Sequence, residues 1–224
     1  MRILTWNLFH GRAVPPAGRD LHDRFAAALA GWEWDVALLQ EVPPWWAGSL
    51  AAACDAQVAS VLTSRNALLP LRRWVAERRP DLIRSNGGGA NAILVRAPLA
   101  ITEQRAVRLR VWPERRVAHG VRLADGTWVV NLHAQVGSER RAQADVARAL
   151  AAWSDAPSLI LGGDLNVRDP RADLASLGAH GVDHVLARGW APAAPARVLE
   201  RAALSDHAPL LVEGSAGTGR PLEA

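Results

Sequence analysis

Ser158-Leu159-Ile160-Leu161-Gly162-Gly163-Asp164-Leu165-Asn166-Val167-Arg168-Asp169 decides how this chain is read. The residues from Ser158 to Leu161 are too apolar and too few for a helix of their own, and Gly162-Gly163 punctuate, so a buried strand is expected to end there in a tight loop. Asp164 and Asn166 then stand at its C-terminal mouth. Residues two apart in an extended segment point the same way, so this carboxylate and this amide are expected to face one reacting centre while Leu165 turns into the core. A carboxylate orients or deprotonates water, and an amide donates to a developing oxyanion without adding charge. The same stretch also reads as a plain turn carrying an Asn, and nothing within it chooses between the two.

Outward from it, the chain alternates short apolar runs with helical patterns. Arg2 to Trp6 reads as a strand delivering Asn7 to a turn. Leu21, Phe25, Ala28 and Leu29 recur at helical spacing up to Gly31. Asp35 to Gln40 is a second buried strand ending at Glu41, and Pro43-Pro44 suit the first turn of a helix running to about Asp55. Residues 56–62 form a further short strand. Leu68 to Arg84 is expected to be helix followed by loop, and its Arg72, Arg73, Arg78, Arg79 and Arg84 read as a solvated face or a phosphate patch, with Glu77 and Asp81 interleaved for local pairing. Gly87-Gly88-Gly89 open a strand over Ala90 to Arg96. Ile101 to Arg110, Arg116 to Leu123 and Thr127 to His133 are β-rich, the last two joined by Asp125-Gly126, a hairpin signal. Ser138 caps an amphipathic helix reaching Trp153, with Val146 and Leu150 inward. After the central strand come a short helix near Ala172 to Leu177 and strands at Gly181 to Leu186 and Ala208 to Val212. One domain over residues 1–213 is expected, with 214–224 as a flexible tail.

Composition narrows the class. Apolar residues make up 50% of the 224, which excludes wholesale disorder. All 26 cations are arginine, and without Lys or Tyr the pI of 10.9 overstates a net charge of only +4. Guanidinium suits phosphate, so an anionic partner is permitted, but Arg-only usage equally reflects coding bias. The single Cys54 forms no internal disulfide, and no Cys/His spacing suits structural zinc. Trp45 and Trp46, just after Glu41, read as packing at a helix start or as platforms for a nucleobase. With a strand-like N-terminus and no run of membrane-spanning length, a monomeric cytoplasmic protein without membrane insertion is expected.

Five strand ends carry polar residues: Asn7, Glu41, His133, the Asp164/Asn166 pair and Ser205-Asp206-His207. Singly they read as a turn residue, a helix cap, a core histidine and a loop ion pair. Jointly they suit a layered α/β protein, whose sheet ends bring distant residues to one ligand. With TWNLFHG at 5–11, LLQEV at 38–42, NAILVR at 91–96, NLHAQ at 131–135, LGGDLN at 161–166, GVDHVLARG at 181–189 and LSDHAPL at 204–210, the chain resembles the endonuclease/exonuclease/phosphatase superfamily.

The resemblance implies an α/β (α+β) fold, a four-layer αββα sandwich of two packed mixed β-sheets flanked by helices, and a metal-dependent phosphoesterase. Position by position it implies Glu41 as the principal Mg²⁺ ligand, with Mn²⁺ as a substitute, and Asn7 and Asp206 near the metal. Asp164 is implied to orient or deprotonate the attacking water, assisted by Asn166. His207, held by Asp183, and His133 are implied to contact the scissile phosphate, and Asn91 to buttress His133. The implied substrate is a phosphodiester in nucleic acid or a nucleotide-like small molecule. The alternatives are the same chemistry on a phospholipid or sugar phosphate, and a catalytically silent binding module on the same fold. The tyrosine that the DNA-repair branch places on the phosphate is missing from a chain with no Tyr, where His10 or a tryptophan is the chemical substitute.

Overall fold

The computed structural model describes residues 1–63, 66–79, 81–82 and 89–217. In chain order these form β1 (Arg2–Asn7), a 3₁₀ turn (Phe9–Gly11), α1 (His22–Gly31), β2 (Val36–Val42), α2 (Ala47–Ala53), β3 (Ala56–Leu62), α3 (Leu69–Arg78) and β4 (Ala90–Arg96). There follow β5 (Ile101–Arg110), β6 (Arg116–Leu123), β7 (Trp128–His133), α4 (Glu139–Ala152), β8 (Leu159–Asp164), β9 (Ala175–His180), β10 (Asp183–Arg188), β11 (Trp190–Val198) and β12 (Leu210–Ala216). The strands make two six-stranded sheets, ordered β11-β12-β1-β2-β4-β3 and β5-β6-β7-β8-β10-β9. Each sheet is mixed in the same way: one parallel pair, β1 with β2 and β7 with β8, sits among antiparallel neighbours.

Strand alternation sorts the apolar residues into three layers. Ile3, Val36, Leu38, Ile93 and Val95 of the first sheet meet Val121, Val129, Ile160 and Val185 of the second. The residues beside them face the other way. Leu4, Trp6, Leu39 and Leu94 pack on Phe25 and Leu29 of α1 and Leu50 of α2, while Val130, Leu132, Leu159 and Leu161 pack on Ala142, Val146 and Ala149 of α4. Two sheets face to face with helices outside are the expected sandwich. Burying each large side chain contributes about 1.5–3 kcal/mol, so sliding either sheet by one residue would invert a whole layer.

Several expectations are corrected. Gly162 and Gly163 do not end β8; they lie inside it. A Cβ on Gly162 would sit 2.8 Å from Leu38 Cδ1, and Gly163, at φ +136, presses against the Leu132 carbonyl, so both glycines serve close packing of strand and sheet. The expected helix near 172–177 is replaced by β9, whose Leu177 joins the layer between the sheets, so pairing with β10 overrides helix propensity. β11 was not foreseen, because Pro192 and Pro195 disguise it; it is an edge strand with register shifts, where proline is tolerated. α2 starts at Ala47 rather than at the prolines, since Pro43 O accepts from Trp46 N in a separate turn. β12 runs on through residues 214–216, with Gly214 N donating to Met1 O at 2.9 Å. Residues 218–224 of the expected tail, Gly87, Gly88 and Arg84 lie outside the described residues. Among the described residues no helix is long and apolar enough to cross a membrane.

Candidate active site

The parallel pairs at the centre of each sheet end at the same edge of the sandwich. In the second sheet His133 pairs in register with Asp164, and Asp164 with Asp183, so three neighbouring strands present three functional side chains side by side. In the first sheet Asn7 pairs with Gln40, and Glu41 follows at a register shift between β2 and β4 with φ 49. Such a bulge re-aims a side chain that regular alternation would have sent elsewhere. Below the site a polar bridge ties the sheets: Gln40 Nε2 donates to Asn131 Oδ1 at 2.8 Å, and Asn131 Nδ2 donates to the carbonyls of Leu39 at 2.8 Å and Ala92 at 3.0 Å.

Asp164 lies at the centre. Its Oδ2 accepts from Asn7 Nδ2 at 3.0 Å and lies 3.5 Å from His133 Nε2 and 3.7 Å from His207 Nε2; its Oδ1 accepts from Asn166 N at 3.2 Å. Burial raises its pKa to about 6, with the His207 charge opposing and the Asp183 charge adding. His207 donates from Nδ1 to Asp183 Oδ2 at 2.7 Å. Burial alone would lower its pKa, but that hydrogen bond and the charges of Asp183, Asp164 and Asp206 bring it up to about 9. The loop carrying it is clamped by buried Ser205, whose Oγ donates to Asn7 O at 2.6 Å and accepts from His207 N at 3.0 Å, while Trp6 Nε1 holds His207 O at 3.0 Å. Thus a residue from the start of the chain and one near its end are fixed to each other.

His133 is buried, and burial, with the charges of Arg116, His10 and His207, keeps its pKa well below the usual imidazole value. Glu41 is pushed up to about 7 by burial and then by the nearby Asp206 charge, against the opposing charges of Arg116 and His207 and an Asn7 hydrogen bond. Glu41 within the field of Asp206 and hydrogen-bonded to the Asn7 amide offers oxygen donors that suit a hard divalent cation, whose charge would offset the repulsion that raises the Glu41 pKa.

The structure thus brings together Asn7, Glu41, His133, Asp164, Asp183, Asp206 and His207. Asn166 and Asn91 depart from expectation. Asn166 has φ 51 rather than extended backbone, and its Nδ2 donates to Ala134 O at 3.2 Å; Leu165 is in the core as expected. Asn91 does not buttress His133: its Nδ2 donates to Val117 O at 3.3 Å, between the sheets. Trp46 is buried against Phe25 and His22 and offers no face to a base. Trp45, with Pro44, Leu69, Pro70 and Arg73, lines a cleft of about 320 Å³. The arginines of α3 behave as a solvated face, Arg73 pairing with Glu77 at 2.7 Å and Arg78 lying over Trp74.

Arg116 escaped sequence reasoning. It starts β6, is buried, donates from Nη2 to Glu114 Oε2 at 2.6 Å, and its charge acts on both Glu41 and His133. One arginine among 26 carries no local signal of burial. His10 was overlooked as a neighbour of Glu41, and its Nε2 stands 3.0 Å from Glu41 Oε2.

A sequence profile of the Endonuclease/Exonuclease/phosphatase family matches residues 4–207. No curated protein matches. An endonuclease/exonuclease/phosphatase from Beutenbergia cavernae is a structural neighbour at TM-score 0.74 and 19% identity, covering 97% of this chain and 72% of its own. TDP2 of D. rerio, solved with a single-strand DNA product, aligns at TM-score 0.71 and 14% identity, over 96% of this chain and 99% of its own. A mannosyl-6-phosphatase of Bacteroides thetaiotaomicron aligns at TM-score 0.69 and 14% identity, over 96% and 99%. At such identities these likenesses speak for the fold.

Proposed function

The chain belongs to the endonuclease/exonuclease/phosphatase family, and from that membership and the site's geometry we propose that it is a divalent-metal-dependent phosphoesterase hydrolysing a phosphodiester in nucleic acid or a nucleotide-like substrate. The observation that carries this reading is the convergence on Asp164 of Asn7 from one sheet, His133 from the other, and the His207–Asp183 pair.

In this reading Asp164, held by Asn7 and by the backbone of Asn166, orients the attacking water and receives its proton. A pKa of about 6 leaves it ionised at neutral pH yet more basic than an ordinary carboxylate. Water adds to phosphorus, the bond to the leaving oxygen breaks, and negative charge gathers on the phosphoryl oxygens. His207, protonated below about pH 9, and buried His133 donate hydrogen bonds to that charge in this reading, and the hydrogen bond to Asp183 fixes the His207 ring. Arg116 supplies a fixed positive charge that acts on both Glu41 and His133, and its Nε lacks a protein partner. Glu41, with Asn7 and Asp206 alongside, would hold Mg²⁺ or Mn²⁺, which would supply Lewis-acid polarisation of a phosphoryl oxygen. A free, buried Cys54 suits a cytoplasmic location.

Hydrolysis of bis-p-nitrophenyl phosphate with Mg²⁺ or Mn²⁺, abolished by chelator, is the expected result. No turnover with either cation would overturn the reading in favour of a silent binding module. Gel analysis of single- and double-stranded DNA and RNA, beside phospholipid and sugar-phosphate assays, then fixes the substrate class: cleavage of the polymers supports the proposal, and turnover of only the other two refutes it.

A further inference from the structure

Strained backbone brings one imidazole and one carboxylate together. Phe9, His10 and Glu41 all have left-handed φ, at 49, 55 and 49, and such residues cost about 1 kcal/mol or more each and cluster at functional sites. These three meet at one point, where His10 Nε2 stands 3.0 Å from Glu41 Oε2. The turn that carries His10 is locked. Phe9 N donates to Asn7 Oδ1 at 2.9 Å, Gly11 N donates to Leu8 O at 2.8 Å, and Gly11, at φ +77, lies so close to the Trp46 ring that an added Cβ would collide with it. The imidazole is therefore aimed by fixed backbone rather than by a free loop.

We propose that His10 is a ligand of the divalent cation at Glu41, so that the site combines nitrogen with oxygen and favours first-row transition cations over Mg²⁺. This rests on the metal-dependent reading above. Neighbouring ligands of an octahedral ion with bonds of about 2.1 Å lie about 3.0 Å apart, so the His10–Glu41 pair needs little movement to share one ion. His133 is less well placed for this, with Nε2 3.8 Å from Glu41 Oε1. Mg²⁺ takes oxygen and keeps its waters, whereas affinity for an imidazole nitrogen rises from Mn²⁺ to Co²⁺. A neutral imidazole bound through Nε2 carries its proton on Nδ1. His10 thereby distinguishes this site from one built of carboxylates and amides alone.

The test titrates the whole protein with Mg²⁺, Mn²⁺ and Co²⁺ by calorimetry, without substrate, in wild type, His10→Asn and Glu41→Gln. Asn tolerates left-handed backbone, so the turn survives. His10→Asn should weaken Co²⁺ about tenfold or more, Mn²⁺ less and Mg²⁺ least. Pulsed EPR of bound Mn²⁺ should detect a directly bonded nitrogen that persists in His133→Gln and disappears in His10→Asn. Equal loss for all three cations, or no nitrogen coupling in wild type, would overturn the proposal and leave His10 as a hydrogen-bond partner of Glu41. Failure of the underlying reading looks different: Glu41→Gln would then bind all three cations as wild type does, or wild type would bind none, and the His10 proposal would go with it.

Discussion

The two sheets contribute to the site in different ways. The second sheet presents His133, Asp164 and Asp183 from neighbouring strands in register, all nearly inaccessible to solvent. The first presents Asn7 and Glu41 around a bulge, with left-handed backbone at Phe9, His10 and Glu41, and adds Asp206 from an exposed loop position. Regular strands hold side chains to fixed spacing, which suits groups that handle a proton. A strained rim suits the divalent-cation site proposed at Glu41, whose ion keeps some waters. On the roles proposed above, the buried, regular half carries Asp164 and His133, and the strained half carries Glu41 and Asp206, with Asn7 buried between them.

The division predicts separable losses. The largest is expected at Asp164→Asn, which preserves shape while removing charge and proton-accepting capacity. Turnover should fall about 10²- to 10⁴-fold or more, with melting temperature and metal affinity little changed. A folded variant with near-normal activity at saturating Mg²⁺ would break the assignment of the buried half. Next, His133 comes from the second sheet and His207 from the loop before β12 of the first. Either change to Ala should cost about 10²- to 10³-fold, and the double variant much less than the two losses multiplied, if both act on one phosphate. Strict additivity would place them at independent sites. Smaller still, Glu41→Gln should weaken cation affinity about 10- to 100-fold, and excess metal should restore part of the activity. A change in turnover with unaltered metal dependence would remove Glu41 from the strained half's function.

The same contrast explains what was legible in the sequence. Strand ends with polar residues could be read because apolar runs and their interruptions are local, and the pair Asp164 and His133 sits where period-two alternation sends it. Glu41 could be singled out, but the bulge that aims it could not, since a left-handed residue other than Gly leaves no mark. The left-handed backbone of Asn166 is hidden for the same reason. Asn91 and Arg116 turn on contacts made across the sheet interface or along β6, which no local pattern encodes. β9 and β11 are edge-side strands of small residues and prolines, made strands by pairing rather than by propensity.

The regular half also buries polar groups that take no part in the chemistry proposed here, and His119 lets that cost be measured. It lies opposite Asn131 in the register of β6 with β7, is 2% exposed, and its Nδ1 has no hydrogen-bond partner. Burial lowers its pKa from 6.5 to about 4. The unfolded chain therefore takes up a proton near pH 6.5 that the folded chain refuses until about pH 4, so stability is fully present above 6.5 and is lost as pH falls through this window. At about pH 5.5 the loss should be about 1.4 kcal/mol, roughly tenfold in the folding equilibrium. Other groups titrate in the same range, Asp164 with the opposite sign, so wild type must be compared with His119→Gln. The variant keeps a neutral polar side chain and shares every other group. Urea midpoints at about pH 7.5 and about pH 5.5, converted with a common slope, should show wild type losing about 1.4 kcal/mol more than the variant. Equal losses would mean that His119 reaches solvent or a partner when protonated, and the second sheet's inner face would then be less closed than the contrast between the halves requires.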